Sequence, residues 1–191
     1  MRVTFPATFS LAAALLLAAA TPAAAQGAGR FTLTSPDLRP GGTIAARHVG
    51  NYMGCTGQNV SPALRWSGAP AGTKSFAVTA YDPDAPTGSG WWHWVVYNLP
   101  ASATTLPAGA GDSKGAGLPS GAAQGNTDVG QPGYFGPCPP PGDKPHRYIF
   151  TVYALKTAKI DVPANATAAM VGFNLHANQL AKATLTARYG R

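Results

Sequence analysis

Short apolar runs punctuated by glycine and proline fill most of the chain, and three of them have the composition of β-strands. Ser75 to Asp82, Trp91 to Leu99 and Arg147 to Leu155 are rich in Val, Ile, Thr and aromatic residues, which suit a pleated and largely covered surface. In the second and third runs both alternating sets are mostly apolar, so the pattern predicts strands covered on both faces, as in a sandwich core. Side chains alternate along a strand. That rule groups Phe76, Val78, Ala80 and Asp82 on one face of the first run. It likewise groups Trp91, His93, Val95, Tyr97 and Leu99 in the second, and His146, Tyr148, Phe150 and Val152 in the third. From Ala168 to Arg188 the period changes: Met170, Phe173, Ala177, Leu180, Ala181 and Leu185 fall at helical spacing. An amphipathic helix capping the sandwich is expected there, with Thr167 as its N-cap and His176 off the apolar stripe, facing solvent.

The segments between these runs sharpen the picture. Between Pro100 and Pro132 the chain turns to Gly, Ala, Ser and Pro. A loop of that length, Ala101 to Gln131, inside one domain is expected to be functional or mobile. At the other end Arg2, the apolar run Leu11 to Ala20 and Ala23-Ala24-Ala25 read as a signal peptide over residues 1–25, leaving a single domain over residues 26–191. The run is shorter than the roughly twenty apolar residues of a membrane span, and no later run reaches that length. A secreted or periplasmic protein with no transmembrane segment after signal removal is the expectation.

The formal charge of +7 is carried by lysines and arginines scattered along the chain. Nucleic-acid binding calls for clustered cations, so that class is set aside, while a mild attraction to anions remains. Cys55 and Cys138 are the two cysteines. An oxidising compartment permits a bridge between them, and two buried thiols are the alternative that sequence leaves open.

Chemistry gathers where the strands end. Asp82 closes the first run, His93 opens the second, and His146 with Tyr148 opens the third; antiparallel neighbours would bring these ends together. A carboxylate, two imidazoles and a phenol at one rim of an apolar sandwich describe a small-ligand pocket. Each has a plainer reading. Asp82-Pro83-Asp84-Ala85-Pro86 has the residues of a turn, and His93 between two tryptophans could be a hydrogen-bonded core histidine. Gly136-Pro137-Cys138-Pro139-Pro140-Pro141-Gly142 is a rigid connector, either a spacer or a preformed pocket wall. A hydrolase in which His93, His146, Asp82 and Asp84 hold a metal or activate water is the main alternative. The sequence supports it weakly, since it contains no His-x-x-x-His or Cys-x-x-Cys pair.

Asp82-Pro83-Asp84-Ala85-Pro86, Trp91-Trp92-His93-Trp94-Val95-Val96-Tyr97-Asn98, Gly136-Pro137-Cys138-Pro139-Pro140 and His146-Arg147-Tyr148 follow one another in an order that resembles the phosphatidylethanolamine-binding family. The likeness is to its bacterial Raf-kinase-inhibitor-like branch, and Asn59-Val60-Ser61-Pro62-Ala63-Leu64-Arg65-Trp66 fits that branch as well. It covers about Phe31 to Tyr189. The resemblance implies a mostly-β sandwich of antiparallel-rich sheets with a C-terminal helix and long loops. It implies a non-catalytic pocket for phosphate, phosphoethanolamine-like groups or other small anions, with no cofactor and no metal. Its ligand-binding residues by matching position are Asp82, Trp91, His93, Cys138, Pro139, His146 and Tyr148, with Pro83 and Asp84 shaping the rim. In the eukaryotic branch glycine commonly stands at the position of Cys138, so this wall differs. The partners implied are a small anion or a phospholipid headgroup. A regulated or inhibited protein, such as a protease met through the long loop, is the further reading, and a homodimer is compatible with either.

Overall fold

A computed structural model describes residues 1–3 and 29–191. The signal peptide read at residues 1–25 therefore falls, apart from residues 1–3, outside the described residues. Among those residues no helix is long and apolar enough to cross a membrane.

Besides a short 3-10 helix at Ala46–His48, eight strands and one α-helix follow in order: β1 (Thr32–Thr34), β2 (Leu64–Ser67), β3 (Ser75–Asp82), β4 (Trp91–Pro100), β5 (Thr105–Leu106), β6 (Ala123–Gln124), β7 (His146–Leu155), α1 (Ala168–Asn178) and β8 (Gln179–Tyr189). They form a three-stranded sheet, β1-β2-β5, and a five-stranded sheet, β6-β4-β3-β7-β8, with every strand pair antiparallel. The expected mostly-β, antiparallel architecture is what forms.

One core lies between the sheets, where Leu33, Leu64, Trp66 and Leu106 of the smaller sheet meet Phe76, Val78, Trp94, Phe150 and Leu185 of the larger. A second lies on the far face of the larger sheet, where Ala77, Val95, Tyr97 and Leu155 pack under Val171 and Leu175 of α1. This double cover is why both alternating sets of the central strands are apolar.

The C-terminal segment departs from the expected long helix. Thr167 does cap α1, accepting from the Met170 amide at 3.2 Å, and His176 is exposed, but the helix stops at Asn178 and the chain continues as β8. Residues 181 to 187 satisfy two periods at once. Ala183, Leu185 and Ala187 are buried at alternate positions, and pairing from His146↔Tyr189 to Leu155↔Gln179 saturates the edge of β7. That ladder outweighs the helical propensity of the alanines, because β7 would otherwise leave a row of backbone groups unpaired. The helix is also turned round relative to the expected stripe: Val171 and Leu175 face the core, whereas Met170 and Phe173 are exposed.

The long segment after β4 is pinned rather than free. β5 pairs with β2 and β6 with β4, Trp94 Nε1 donates to Gln124 Oε1 at 2.8 Å, and the Gly111 amide donates to Ser61 Oγ at 2.9 Å. Cys55 and Cys138, 83 residues apart, are joined by a disulfide with a Cα separation of 5.9 Å.

Candidate ligand-binding site

Antiparallel pairing sets the end of β3 beside the start of β4 and β7, with Asp82 opposite Trp91 and Tyr81 opposite Ile149. A β-bulge then aims His93. Tyr81 pairs with Trp92 and Ala80 with Trp94, leaving His93 as the extra residue between them. A bulge turns two successive side chains toward one face, so His93 and Trp94 both point into the space between the sheets. This corrects the alternation read from sequence. Val95 and Tyr97, grouped there with His93, lie in the core beneath α1. A second irregularity at Asn98, whose φ is 59°, returns Leu99 to the inter-sheet core.

Asp82, Trp91, His93, Cys138, Pro139, His146 and Tyr148 line one cavity of ≈ 240 Å³. Pro83 and Asp84 do not line it. The Asp84 carboxylate is turned outward and clamped by Arg147, whose Nη2 and Nε donate at 2.6 and 2.9 Å and whose amide donates at 2.8 Å. This clamp fixes the turn after β3 to the start of β7. The Arg147 guanidinium holds the Asp84 carboxyl down at about 2.

Asp82 is buried and spends its carboxylate on two neighbours. Oδ1 accepts from the Asp84 amide at 2.8 Å, and Oδ2 lies 2.8 Å from His146 Nδ1. His146 Nε2 in turn lies 3.3 Å from Asp143 Oδ2. Both imidazole nitrogens thus face carboxylates, so His146 supplies positive charge to the site but no free N–H. Burial works against the charged form of His146, yet the Asp82 hydrogen bond and charge, with those of Asp143, carry its pKa above the ordinary value.

His93 differs. Its Nδ1 meets the Phe135 carbonyl at 2.5 Å and must donate to it, which leaves Nε2 for the cavity. Burial is the largest influence on His93 and holds its pKa below the ordinary value, so the ring is neutral at neutral pH with Nε2 an acceptor. Tyr148 packs edge-on against it, ring centroids 5.2 Å apart. The Tyr148 hydroxyl is buried with no hydrogen-bond partner, and burial with the nearby Asp82 charge raises its pKa far above the usual range. It is a fully protonated donor, and the Asp82 carboxylate is the acceptor group that acts on it.

Sequence reasoning missed Tyr52, Met53, Thr87 and Arg191, which also line the cavity. Tyr52 and Met53 lie within three residues of Cys55, so a known Cys55–Cys138 pairing would have placed them. Nothing in the sequence flags Arg191. Its guanidinium donates to the carbonyls of Pro139, Gly54 and Met53 at 2.7, 3.1 and 3.2 Å, holding the two walls together and leaving N–H groups spare. One motif also escaped the reading: Gly111-Asp112-Ser113-Lys114-Gly115 has the spacing of a nucleophile elbow. It lies in turns rather than between a strand and a helix, and among the described residues no histidine hydrogen-bonds to Ser113, so the context that the motif needs is missing.

The buried acid–imidazole pair makes a clear stability prediction. Asp82→Ala leaves His146 without its closest counter-charge and costs about 3 kcal/mol, read from urea unfolding, and burial then pulls the His146 pKa down in an NMR titration. The sign for the intact protein follows from the raised folded value. The pair's contribution is complete below the ordinary histidine pKa and fades as pH climbs through the folded one, while His93, shifted the other way, opposes acidification. A variant as stable as the parent, with an unmoved His146 titration, would contradict this coupling.

The family model described as phosphatidylethanolamine-binding protein matches residues 34–190. The UPF0098 proteins YbcL and YbhB of Escherichia coli are 55% and 57% identical, over 85% and 82% of this chain and 88% and 98% of their own lengths. The crystal structure of YbcL, titled a new member of the mammalian PEBP family, superposes with a TM-score of 0.83, covering 84% of this chain and 98% of that one. A Chlamydia trachomatis homologue of phosphatidylethanolamine-binding protein superposes with a TM-score of 0.70 at 32% identity, over 84% and 97% of the two chains.

Proposed function

Because the chain belongs to the phosphatidylethanolamine-binding protein family, we propose that its cavity binds a small phosphate-bearing anion, inorganic phosphate or a phosphoethanolamine-like group, without transforming it. The observation that carries this reading is the gathering of the Tyr148 phenol, the free Nε2 of His93 and the Arg191 guanidinium round one cavity. The Tyr148 hydroxyl supplies a donor for a phosphate oxygen. Beside it His93 Nε2 accepts from a protonated phosphate oxygen, and a ligand ammonium would share the Asp82 carboxylate with the Asp84 amide and His146. His146 and Arg191 bring positive charge to the opposite walls. A volume of ≈ 240 Å³ suits a ligand of few heavy atoms.

Binding is favoured over hydrolysis by the nucleophiles. The Cys138 thiol is consumed in the disulfide, and the Thr87 hydroxyl donates to the Gly90 carbonyl at 2.5 Å. No free serine or thiol stands beside His93 Nε2 among the lining residues. Residues 1–25 would deliver the chain to the periplasm or beyond, which the N-terminal mass of the exported chain checks.

Calorimetric titration with phosphate and with phosphoethanolamine tests the pocket. The parent binds, Tyr148→Phe weakens binding about tenfold by removing one hydrogen bond to a charged group, and His93→Ala weakens it further. Tyr148→Phe keeps most of its folding stability, since the hydroxyl makes no hydrogen bond of good geometry to the protein. Failure of both anions to bind, or equal affinity in both variants and the parent, defeats the reading.

A further inference from the structure

The helical stripe that fails to enter the core points to a second surface. Met170, Phe173 and Ala177 fall at i, i+3 and i+7 of α1, on one face, and Leu180 continues the line at the start of β8. Met170, Phe173 and Leu180 are 46%, 76% and 43% exposed. Single exposed apolar residues are ordinary. Three large ones in succession, along α1 and into the start of β8, are a patch.

Charge says what covers it. Lys74 just before β3, Lys156 just after β7 and Lys182 in β8 are exposed, and their backbones meet at the end of the sheet where Leu180 lies. The Lys74 amide donates to Leu155 O and Lys156 N to Asn178 O. Lys182 pairs across from Tyr153, and a Leu180 methyl packs near Gly72. None of these lysines is in an ion pair among the described residues, and the chain holds no Asp or Glu from Val162 to Arg191. We infer that this face docks the protein on a bilayer surface containing anionic phospholipid. Phe173, Met170 and Leu180 enter the interface among the acyl chains, and the lysines meet the headgroup phosphates. A second copy of the chain suits the face poorly, because a two-fold contact sets the same lysines against one another.

The surface is separate from the cavity. β3 begins next to Lys74 and ends at Asp82, a run of about 25 Å for a strand of that length, so the lysine cluster and the cavity lie at opposite ends of the sheet. α1 reaches back to Trp92 at the cavity end, but it covers the face of the larger sheet away from the inter-sheet space, so docking leaves the cavity mouth open to soluble ligand.

Vesicle sedimentation tests this with the parent chain, Phe173→Asp, the triple variant Lys74→Glu/Lys156→Glu/Lys182→Glu, and the cavity variant Tyr148→Phe. All carry the same N-terminus, so differences among them report on the substituted positions. The parent pellets with phosphatidylcholine vesicles containing phosphatidylglycerol, pellets poorly with phosphatidylcholine alone, and is released by added salt. Phe173→Asp lowers partitioning about tenfold or more, and the triple variant by about two orders of magnitude. Tyr148→Phe binds vesicles like the parent, and phosphoethanolamine does not compete. Equal binding to neutral vesicles, or no effect of Phe173→Asp, overturns the inference. A loss in Tyr148→Phe matching that in Phe173→Asp reassigns the lipid contact to the cavity. A dimer that dissociates on Phe173→Asp, with no vesicle binding, gives the face to a second copy.

Discussion

Gly136→Ala removes about 4 kcal/mol or more of folding stability, a loss reserved for substitutions that break packed backbone. A Cβ at this position would lie 2.2 Å from the His48 carbonyl oxygen and 2.7 Å from the Gly50 amide nitrogen. Both are main-chain atoms, so no side chain can swing away to make room. The strands of chain that must part are the ones that enclose the cavity. Gly50 N donates to Pro137 O at 3.0 Å, Tyr52 Oη to Gly136 O at 2.7 Å, and the Gly136 amide to Asn59 Oδ1 at 2.7 Å. Phe135, one residue away, supplies the carbonyl that orients His93. The variant is therefore expected to lose phosphate affinity together with stability. Urea unfolding and calorimetry read the two effects, with Gly29→Ala as the control, since a Cβ there meets nothing within 4 Å. A Gly136→Ala protein within about 1 kcal/mol of the parent would show that the wall yields more easily than its contacts imply.

Removing the disulfide separates stability from site geometry. Cys55→Ala/Cys138→Ala releases a loop spanning 83 residues, and the entropy regained by the unfolded chain lowers stability by about 4.5 kcal/mol at most. The cavity should nevertheless persist. Asn59 Nδ2 donates to Tyr134 O at 3.0 Å, Tyr134 Oη to His48 O at 2.8 Å, and Arg191 spans Pro139, Gly54 and Met53. These bonds join the same two segments without the sulfurs. The expected result is a lower urea midpoint with nearly unchanged phosphate affinity at low denaturant. Loss of affinity in a variant that remains folded would assign the bridge an organising role in the wall.

Much of the site was legible because strand ends are easy to read. Asp82, His93, His146 and Tyr148 sit within two residues of the termini of β3, β4 and β7, and antiparallel pairing needs little more than that to bring them together. What alternation could not supply was the bulge. A strict period of two puts His93 on the face of Val95, yet the extra residue in β4 moves it to the face of Trp94. The roles of the two histidines were equally hidden, for they depend on Phe135, Asp82 and Asp143, partners between 3 and 64 residues distant. Asp84, read as shaping the rim, does not itself line the cavity; the Arg147 fork holds it, and with it the turn whose Ala85, Pro86 and Thr87 do.

Local pattern alone determined the β-rich class, the central strands and the residue types available at their ends, because those follow from side-chain alternation and turn chemistry within a few neighbours. Only tertiary structure decided the fate of residues 179–189, where alanines and threonines fit either period and the unsatisfied edge of β7 tipped the balance toward a strand. It likewise decided which apolar stripe of α1 turns inward, since Val171 and Leu175 fill the hollow over the sheet and leave Met170 and Phe173 outside. Choices of that kind rest on contacts between distant segments, and a single chain of letters does not contain the geometry that ranks them.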